Sequence, residues 1–401
     1  MSADPKPVIV YADPFGAGHH VEHMAFYLRV CASLGVTLRA HVPASMWAQA
    51  VRLAGSPGEG AILARDVAAP GRRFWTLNRV LGDAFRDARD HHARLVYLPM
   101  LDNFFAPLVL RRLLGWRAPA AWTGVFFRDT FNFPQDEVGR WRARATSWVK
   151  RRLLRWILAG DAAGLLTLNP AWQAPMPVPV TWLPDAMSSL DGMAERAAAA
   201  EGWPLAKTTP DDGKLRLLMF GALAPRKGLK AFAQGLLRLD DGELQRIELK
   251  VLGRFFVDDF DYQAQCEAAL AAVSARGVSV QAVTHHVPEA MLDAALRWTD
   301  VLLAPYIGHT GSSGQVALAA QYGRPMLAQG AYQVGADVRR WDLGLTLDAS
   351  DPDAVAAAVR RMMAGGMGAS EGMGALRERL NGSGAFAVAA KVIGDLVRAG
   401  S

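Results

Sequence analysis

Short apolar runs alternate along this chain with longer segments in which apolar residues recur every three or four positions. The runs fall at residues 7–11, 36–42, 95–99, 121–127, 164–168 and 178–183 in the first half, and in the second half at 215–220, 247–252, 278–283, 301–304 and 325–327. Unbroken apolar runs of this length are typical of strands buried on both faces of a parallel sheet. Their alternation with helical segments predicts an α/β chain with one doubly wound sheet in each half.

The division between the two halves is marked by a change in composition. Residues 193–212 join an alanine-rich helical segment to a stretch of Pro, Thr, Asp and Gly, which is typical of a linker. We therefore predict an N-terminal domain over 1–195, a second domain over 213–375, and a C-terminal helix over 376–401 that packs back on the first domain. Because ligands of open parallel sheets bind beyond the carboxyl ends of the strands, the residues after each run are the candidates for function.

A glycine-rich turn follows the first strand. Gly16 and Gly18 lack the third glycine of a dinucleotide-binding turn, so we expect a turn that lets a sugar or a phosphate approach the backbone closely. His19 comes next and is a candidate acid/base group. His19 and His23 have the i, i+4 spacing of metal ligands, but no glutamate lies between them in metalloprotease order and no third ligand is evident. We therefore predict no metal.

Polar residues also follow two other strands of the first half. Asp102 comes soon after the run 95–99, and Arg128 and Asp129 come directly after the run 121–127. The carboxyl ends of parallel strands share one edge of the sheet, so these side chains are expected on the rim that carries His19. Asp129, Asp102 or His19 is expected to hold an acceptor hydroxyl or take its proton.

The first strand of the second half ends in a turn with two adjacent cations. Gly221 opens this turn, and Arg226 and Lys227 close it immediately before a helix. Cations at a strand–turn–helix junction are natural partners of phosphate groups. The alternative is a solvated basic loop without a ligand.

A second turn of this kind, rich in glycine and serine, follows the run 301–304. A helix is predicted from about Gln315, so backbone N–H groups and a helix dipole would point at an anion. The alternative is an ordinary β–α turn with a serine cap. The candidate anion-binding residues are Thr310, Gly311, Ser312, Ser313, Gly314 and Gln315.

Charge and cysteine content narrow the class of partner. The 401 residues carry a formal net charge of +6 with Lys and Arg spread throughout, which fits anionic small substrates or an anionic membrane surface rather than nucleic acid. The two cysteines lie far apart, so a reducing compartment is expected. No run of about 18 apolar residues suggests a bilayer span. A cytoplasmic protein is expected, with peripheral attachment to the inner face of the membrane left open.

The segment 140–158 is rich in arginine and tryptophan. On a helical wheel Trp141, Trp148 and Trp156 share one side, and arginines occupy a neighbouring arc. Such a helix can lie on an anionic membrane with tryptophan at the interface. The alternative, which we favour from sequence, is a domain helix whose apolar side packs on the sheet while the arginine stems extend to solvent.

Over residues 213 to 365 the second half resembles the donor domain of family 4 glycosyltransferases, which are retaining enzymes of the GT-B fold. The resemblance rests on an ordered set of motifs: Gly221…Lys227-Gly228, Val251-Leu252-Gly253, His286-Val287-Pro288-Glu289, Thr299-Asp300-Val301…Pro305 and Gly323-Arg324-Pro325. It implies two Rossmann-like domains that face an interdomain cleft. It also implies that Lys227 binds the donor diphosphate and that the backbone near Val287 contacts the base.

The sequence departs from that family at three polar positions. Thr310 and Leu318 stand where the family has two glutamates, and Ala222 stands where it has an arginine. Gly221, Arg226 and the glycine/serine turn remain as the implied donor site.

The resemblance implies a hexosyltransferase-type enzyme of glycan biosynthesis that moves a sugar from a nucleotide-sugar donor to an acceptor hydroxyl with retention. The donor is a substrate, and neither a cofactor nor a metal is expected. The acceptor would be a glycan, a glycolipid or a small molecule. A non-catalytic GT-B-like protein that binds a nucleotide or a partner, and a sugar-nucleotide epimerase, are the alternatives. The expected catalytic residues are Arg128, Asp129, His19 and Lys227.

Overall fold

The computed structural model of this chain describes residues 6–15, 19–55, 73–133, 141–184, 207–209, 211–255, 260–285, 287–365, 368–380 and 382–399. The chain divides into two compact units. The first consists of Met1–Ser188 together with Gly382–Ser401, and the second of Ser189–Asn381. The predicted alanine-rich helix near the division lies mostly outside the described residues.

The first unit is built on a parallel sheet whose six described strands lie in the order β2-β1-β3-β4-β5-β6. Chain order reverses between β1 and β3, which makes this position the switch point at which open α/β sheets form a crevice. The strands lie within two residues of the predicted runs: β1 Val8–Ala12, β2 Thr37–His41, β3 Leu95–Leu98, β4 Trp122–Phe126, β5 Leu165–Thr167 and β6 Val180–Trp182.

Helices cover both faces of this sheet because alternate residues of a strand point to opposite sides. Ile9 and Tyr11 of β1 join one core with α1, whereas Val10 and Ala12 join another with α3 and α4. A 3₁₀ turn at Thr130–Asn132 follows β4. The helices of this part of the unit are α1 His19–Ser33, α2 Ala44–Ala54, α3 Arg73–Asp90, α4 Leu101–Leu113 and α5 Trp141–Leu158.

The second unit repeats the plan with the strand order β12-β11-β10-β7-β8-β9, and its switch point lies between β7 and β10. Five of its described strands follow the predicted runs, but β12 was not predicted. This strand is short and mostly half-buried, so its sequence carries little apolar signal. The strands are β7 Leu215–Phe220, β8 Ile247–Leu252, β9 Ser279–Val283, β10 Val301–Ala304, β11 Met326–Gln329 and β12 Gly344–Leu347.

Helices again lie on both faces of the second sheet. Leu217 of β7 packs with one group of helices, and its neighbour Leu218 packs with the other. The described helices are α6 Leu229–Leu236, α7 Asp241–Gln245, α8 Phe260–Ala275, α9 Glu289–Trp298, α10 Gly314–Tyr322, α11 Tyr332–Arg340, α12 Pro352–Met363 and α13 Glu371–Leu380.

The C-terminal segment returns to the first unit as α14 Gly382–Ala399. Its apolar residues Ala389, Ile393 and Val397 are buried in the same core as α1 and β2. The segment 376–401, predicted as one C-terminal helix, belongs to two helices, because α13 ends at Leu380 and lies in the second unit.

Two turns at the second switch point approach so closely that only glycine fits between them. Gly228 ends the turn after β7 with φ of 75°, and a Cβ there would lie 1.9 Å from the carbonyl oxygen of Pro305. The pairing of these turns therefore depends on a residue without a side chain.

We expect Gly228→Ala to lower the free energy of unfolding by more than about 2 kcal/mol, because it combines left-handed strain with a clash against backbone. Urea unfolding measures the change. Gly368→Ala is the matched control, since its added Cβ meets nothing within 4 Å and its φ lies outside the left-handed region. Equal stability of the two variants would contradict the argument.

Candidate active site

The turns after β7 and β10, both predicted as anion-binding turns, meet at the carboxyl edge of the second sheet. The N–H of Ile307 donates to the carbonyl oxygen of Arg226 at 2.9 Å, which joins the two turns through their backbones. Because β7 and β10 pair as neighbours, the residues that follow them start from adjacent positions. The candidate donor-binding residues of two distant segments are thus brought together by the strand order.

Lys227 is held at this junction by an aromatic side chain. It closes the 3₁₀ turn Pro225–Lys227, and its Nζ donates to the Tyr306 hydroxyl at 2.5 Å. The same Nζ lies 3.8 Å from the centre of the Tyr306 ring, a distance typical of a cation–π contact. Lys227 therefore approaches the second turn as a cation held by a neutral partner.

A hydrogen-bonded chain continues from Tyr306 to the start of α10. The Tyr306 hydroxyl lies 3.1 Å from Oγ of Ser313, which caps α10 by accepting from the N–H of Gln315. When Lys227 donates to Tyr306, the tyrosine proton is directed to Ser313. Ser313 then keeps its own hydroxyl proton for a further acceptor, and a phosphate oxygen is an acceptor of the right kind.

The Lys227 side chain has a pKa close to neutral pH. Burial, followed by repulsion from Arg226, lowers the pKa of Lys227 to about 7. Burial also raises the pKa of Tyr306, so this hydroxyl stays neutral. Binding of an anion would favour the charged lysine and would draw a proton from solvent.

Gln315 fastens α10 to the end of β7. Its side chain is 4% exposed, and its Nε2 donates to the carbonyl oxygen of Phe220 at 2.8 Å. Gly221 follows with φ of 101°, and the turn that begins there carries the exposed side chain of Arg226. The start of α10 is thereby fixed relative to the cationic turn.

The remaining residues of the glycine/serine turn are accessible in part. Thr310, Gly311, Ser312 and Gly314 are half-buried, and Nε2 of His309 lies 3.0 Å from the Ser312 carbonyl oxygen. The N–H groups of Gln315 and Val316 donate to Ser313, so the backbone N–H groups offered to an anion are those that precede Gln315 in this turn.

Two positions singled out by the family resemblance lie against the core of the second unit. Val287 is half-buried and packs on the apolar cluster that contains Leu218 and Leu252. His286 lies outside the described residues. Leu318 is 1% exposed within the same cluster, so its side chain serves packing rather than ligand binding.

In the first unit the predicted turn Gly16 to Gly18 lies outside the described residues, and so does the side chain of His19. The backbone of His19 begins α1. Its neighbour His20 carries the interaction that the sequence did not reveal, because its Nδ1 lies 2.7 Å from a carboxylate oxygen of Asp13. Asp13 is 1% exposed at the end of β1, which orients this imidazole at the first switch point.

Asp129 lies after β4 in a network of amide groups. It is 2% exposed, and its Oδ2 accepts from Nδ2 of Asn169 at 2.6 Å and from Nδ2 of Asn132 at 3.0 Å. Burial raises the pKa of Asp129 while these two amides oppose the rise. The adjacent side chain of Arg128 is exposed. Sequence spacing gave no sign of Asn169, because it lies 40 positions from Asp129 in a separate segment.

Asp102 holds the backbone that leads into this network. Its carboxylate accepts from the N–H groups of Phe127 at 2.6 Å and Arg128 at 3.2 Å. Lys150 of α5 lies 3.3 Å from the same carboxylate and donates to the Arg128 carbonyl oxygen at 2.5 Å. Arg128, Asp129 and Asp102 thus lie together, with Asp102 and Lys150 positioning the other two.

Within the described residues, no group of three or more His, Cys, Asp and Glu side chains is arranged to hold a metal ion. The side chain of His19 and the turn from Gly16 to Gly18 lie outside the residues to which this statement applies.

Comparison with known proteins defines the class. Residues 214–365 match the family model described as glycosyl transferases group 1. No curated protein sequence matches the chain. The predicted resemblance of the second half to a glycosyltransferase domain is therefore confirmed.

Solved structures match along almost the whole chain. HepE from Anabaena in complex with UDP and glucose has a TM-score of 0.62 at 12% identity, covering 97% of this chain and 100% of that one. Sucrose-phosphate synthase from Thermosynechococcus elongatus has a TM-score of 0.65 at 15% identity, with coverages of 98% and 99%. A UDP-forming trehalose-phosphate synthase from Burkholderia xenovorans has a TM-score of 0.63 at 11% identity, also with coverages of 98% and 99%.

This chain thus has the GT-B fold, in which each unit is a Rossmann-like parallel sheet with helices on both faces. More particularly, residues 214–365 match the group 1 glycosyltransferase family model, and they contain both turns of the Lys227–Tyr306–Ser313 chain. The predicted GT-B fold is confirmed.

Removing the Asp102 carboxylate is expected to destabilise the first unit. Asp102→Ala would leave two backbone N–H groups without their acceptor and Lys150 without its carboxylate partner, at a cost of about 1–3 kcal/mol. Asp102→Asn keeps one acceptor oxygen and should lose less. Urea unfolding compares both with Asp90→Ala, which removes an exposed carboxylate paired with Arg89. A loss no greater than that of the control would contradict the anchoring role.

The lowered pKa of Lys227 also predicts a pH dependence of stability. Because its pKa of about 7 lies below the ordinary value of 10.5, the unfolded chain binds more protons between these two values. The contribution of Lys227 to the free energy of unfolding therefore rises with pH through this window and is lost as pH falls to 7. Unfolding of the wild type and of Lys227→Met, measured at about pH 7 and about pH 9, should show a steeper rise for the wild type. Parallel slopes would exclude the shift.

Proposed function

We propose that this protein is a glycosyltransferase that moves a sugar from a nucleoside diphosphate donor to an acceptor hydroxyl. The observation that carries the proposal is the hydrogen-bonded chain from Lys227 through Tyr306 to Ser313 at the start of α10, inside the group 1 domain. It brings a cation, a hydroxyl and a helix N-terminus to one edge of the sheet. These are the groups that bind a diphosphate.

The chemistry follows from the charge that develops on the leaving group. Breaking the bond between sugar and diphosphate leaves negative charge on phosphate oxygens while an oxocarbenium-like sugar forms. Lys227, Arg226 and the N–H groups of Gly311 to Gly314 supply positive charge and donors that are in place before reaction. Preorganised donors of this kind are the largest contribution to many enzymatic rates.

Retention and independence of metal remain parts of this proposal. Two adjacent cations and a helix N-terminus can neutralise a departing diphosphate in the way that a divalent ion would. Retention rests on the resemblance to family 4. We propose UDP as the nucleotide because the relative HepE is a complex with UDP and two others are named as UDP-forming or bound to a UDP sugar.

We propose that the acceptor binds to the first unit. Asp129 with its amide partners and the Asp13–His20 pair lie after β4 and β1, where an open sheet receives its ligand. Of Asp129 and His20, we propose His20 as the group that takes the proton, since Asp13 orients its ring. A glycan, a glycolipid or a small molecule fits this chemistry. A cytoplasmic place with peripheral contact to an anionic membrane is also proposed, and the net charge of +6 supports it.

The proposal is tested by incubating the protein with UDP-sugars and acceptor extracts and measuring release of UDP. Release that depends on acceptor is expected, and Lys227→Ala should lower it at least tenfold, the equivalent of one charge-assisted hydrogen bond of about 1.5 kcal/mol or more. Tyr306→Phe should also lower release of UDP, because it removes the hydroxyl that connects Lys227 to Ser313.

Three other outcomes would decide against this function. Conversion of the sugar nucleotide without acceptor would indicate an epimerase. Binding of UDP in a thermal shift without any release would indicate a binding protein, the alternative that buried Leu318 favours. Release unchanged by Lys227→Ala, with Lys230→Ala as the control for loss of a nearby lysine, would remove the proposed site.

A further inference from the structure

Helix α5 of the first unit turns its tryptophan side to solvent. Trp141, Trp148 and Trp156 are 72%, 57% and 37% exposed, whereas Leu154 and Ile157 are buried. The expectation that the tryptophan side packs on the sheet is therefore wrong. Positions at i, i+7 and i+15 share one face of a helix, so the three indoles form a single aromatic stripe.

Arginines are interleaved with this stripe. Trp148, Arg151, Arg152 and Arg155 line a surface cavity of about 340 Å³, and the Arg152 guanidinium lies 4.8 Å from the Trp148 ring centre. Arg155 donates to the carbonyl oxygen of Pro175 at 3.2 Å. Over the described residues, none of these three arginines pairs with a carboxylate. Their charges are therefore not neutralised by the protein in the part of the chain that the structure describes.

The end of α4 borders the same surface. The guanidinium of Arg112 lies 5.9 Å from the ring centre of Trp156. The next residues, Leu113 and Leu114, are 67% and 76% exposed. Exposed leucines beside an exposed aromatic stripe extend the apolar area beyond a single helix.

We propose that this surface, made of Trp141, Trp148, Trp156, Arg151, Arg152 and Arg155, binds the anionic headgroups of a phospholipid bilayer. Indole rings insert at the boundary between headgroups and acyl chains, and guanidinium groups pair with lipid phosphates. An acidic protein would satisfy the arginines but would not require three indoles that are otherwise exposed to water. Among the described residues, no helix is long and apolar enough to cross a membrane, so the contact proposed is at the surface.

The inference deepens the peripheral-membrane part of the proposed function and is independent of glycosyl transfer. Its test is flotation of the full chain with vesicles of phosphatidylglycerol and phosphatidylcholine, and with vesicles of phosphatidylcholine alone. Flotation is expected with the anionic vesicles and should weaken as salt is raised. Replacing Arg151, Arg152 and Arg155 together by Gln should lower the partition coefficient about a hundredfold, since each basic residue near such a surface contributes about 1 kcal/mol.

Matched variants separate lipid binding from general effects of charge and folding. Arg52, Arg86 and Arg89 replaced together by Gln remove the same charge from exposed positions elsewhere in the unit and should float like the wild type. The triple variant Arg151→Lys, Arg152→Lys and Arg155→Lys should keep most of the binding that the glutamine variant loses. Trp148→Ala with Trp156→Ala should weaken flotation even at high salt, whereas the exposed Trp75→Ala should not.

Several results would overturn the proposal. These are no flotation of the wild type, equal flotation with neutral vesicles, or equal loss in the two triple glutamine variants. The first of them, together with capture by an acidic protein, would assign the surface to that class of partner. Thermal unfolding of each variant shows that it is folded. The shift of that transition by UDP reports on the donor site separately from binding to vesicles.

Discussion

The contact between Lys227 and Tyr306 depends on the reversal of strand order in the second sheet. Because β10 pairs with β7 although β8 and β9 lie between them in the chain, the turns that follow β7 and β10 are adjacent in space. Gly228 lets the first turn approach the Pro305 carbonyl, and the hydrogen bond from the Ile307 N–H to the Arg226 carbonyl joins the two turns. Without that approach Lys227 could not donate to Tyr306, and the Tyr306 hydroxyl would not connect Lys227 to Ser313 at the start of α10.

The candidate sites of the two units differ in the sign of the buried charged group that they contain. In the second unit a lysine is held by a neutral tyrosine beside another cation, so the local balance is positive and an anion is the missing partner. In the first unit Asp129 accepts from two neutral amides, and Lys150 donates to Asp102 and to a backbone carbonyl. A site that is short of negative charge suits a diphosphate, and a site with accepting oxygens suits hydroxyl groups.

Periodicity predicted most of the strands and both turns of the second unit, because buried parallel strands are written as unbroken apolar runs. It missed β12, whose residues are mostly half-buried at the edge of the sheet. It also missed the partners that orient the candidate residues. Tyr306 and Asn169 lie 79 and 40 positions from Lys227 and Asp129, and spacing within one segment carries no information about such pairs. The wheel of α5 grouped its tryptophans correctly, but a wheel does not say which side faces the core.

The orientation of α5 follows from what its inner side holds. Lys150 reaches the Asp102 carboxylate and lies 4.5 Å from the centre of the Phe126 ring, and the Ser147 hydroxyl lies 2.6 Å from that of Thr130. These polar anchors and Leu154 occupy one side of the helix, so the tryptophans seven or eight positions apart must occupy the other. Rotating the helix to bury the indoles would withdraw Lys150 from the backbone after β4, where Arg128 and Asp129 lie. The exposed aromatic stripe therefore follows from the contacts by which α5 supports the backbone around Arg128 and Asp129, and the two faces of one helix link the proposed acceptor site to the proposed lipid surface.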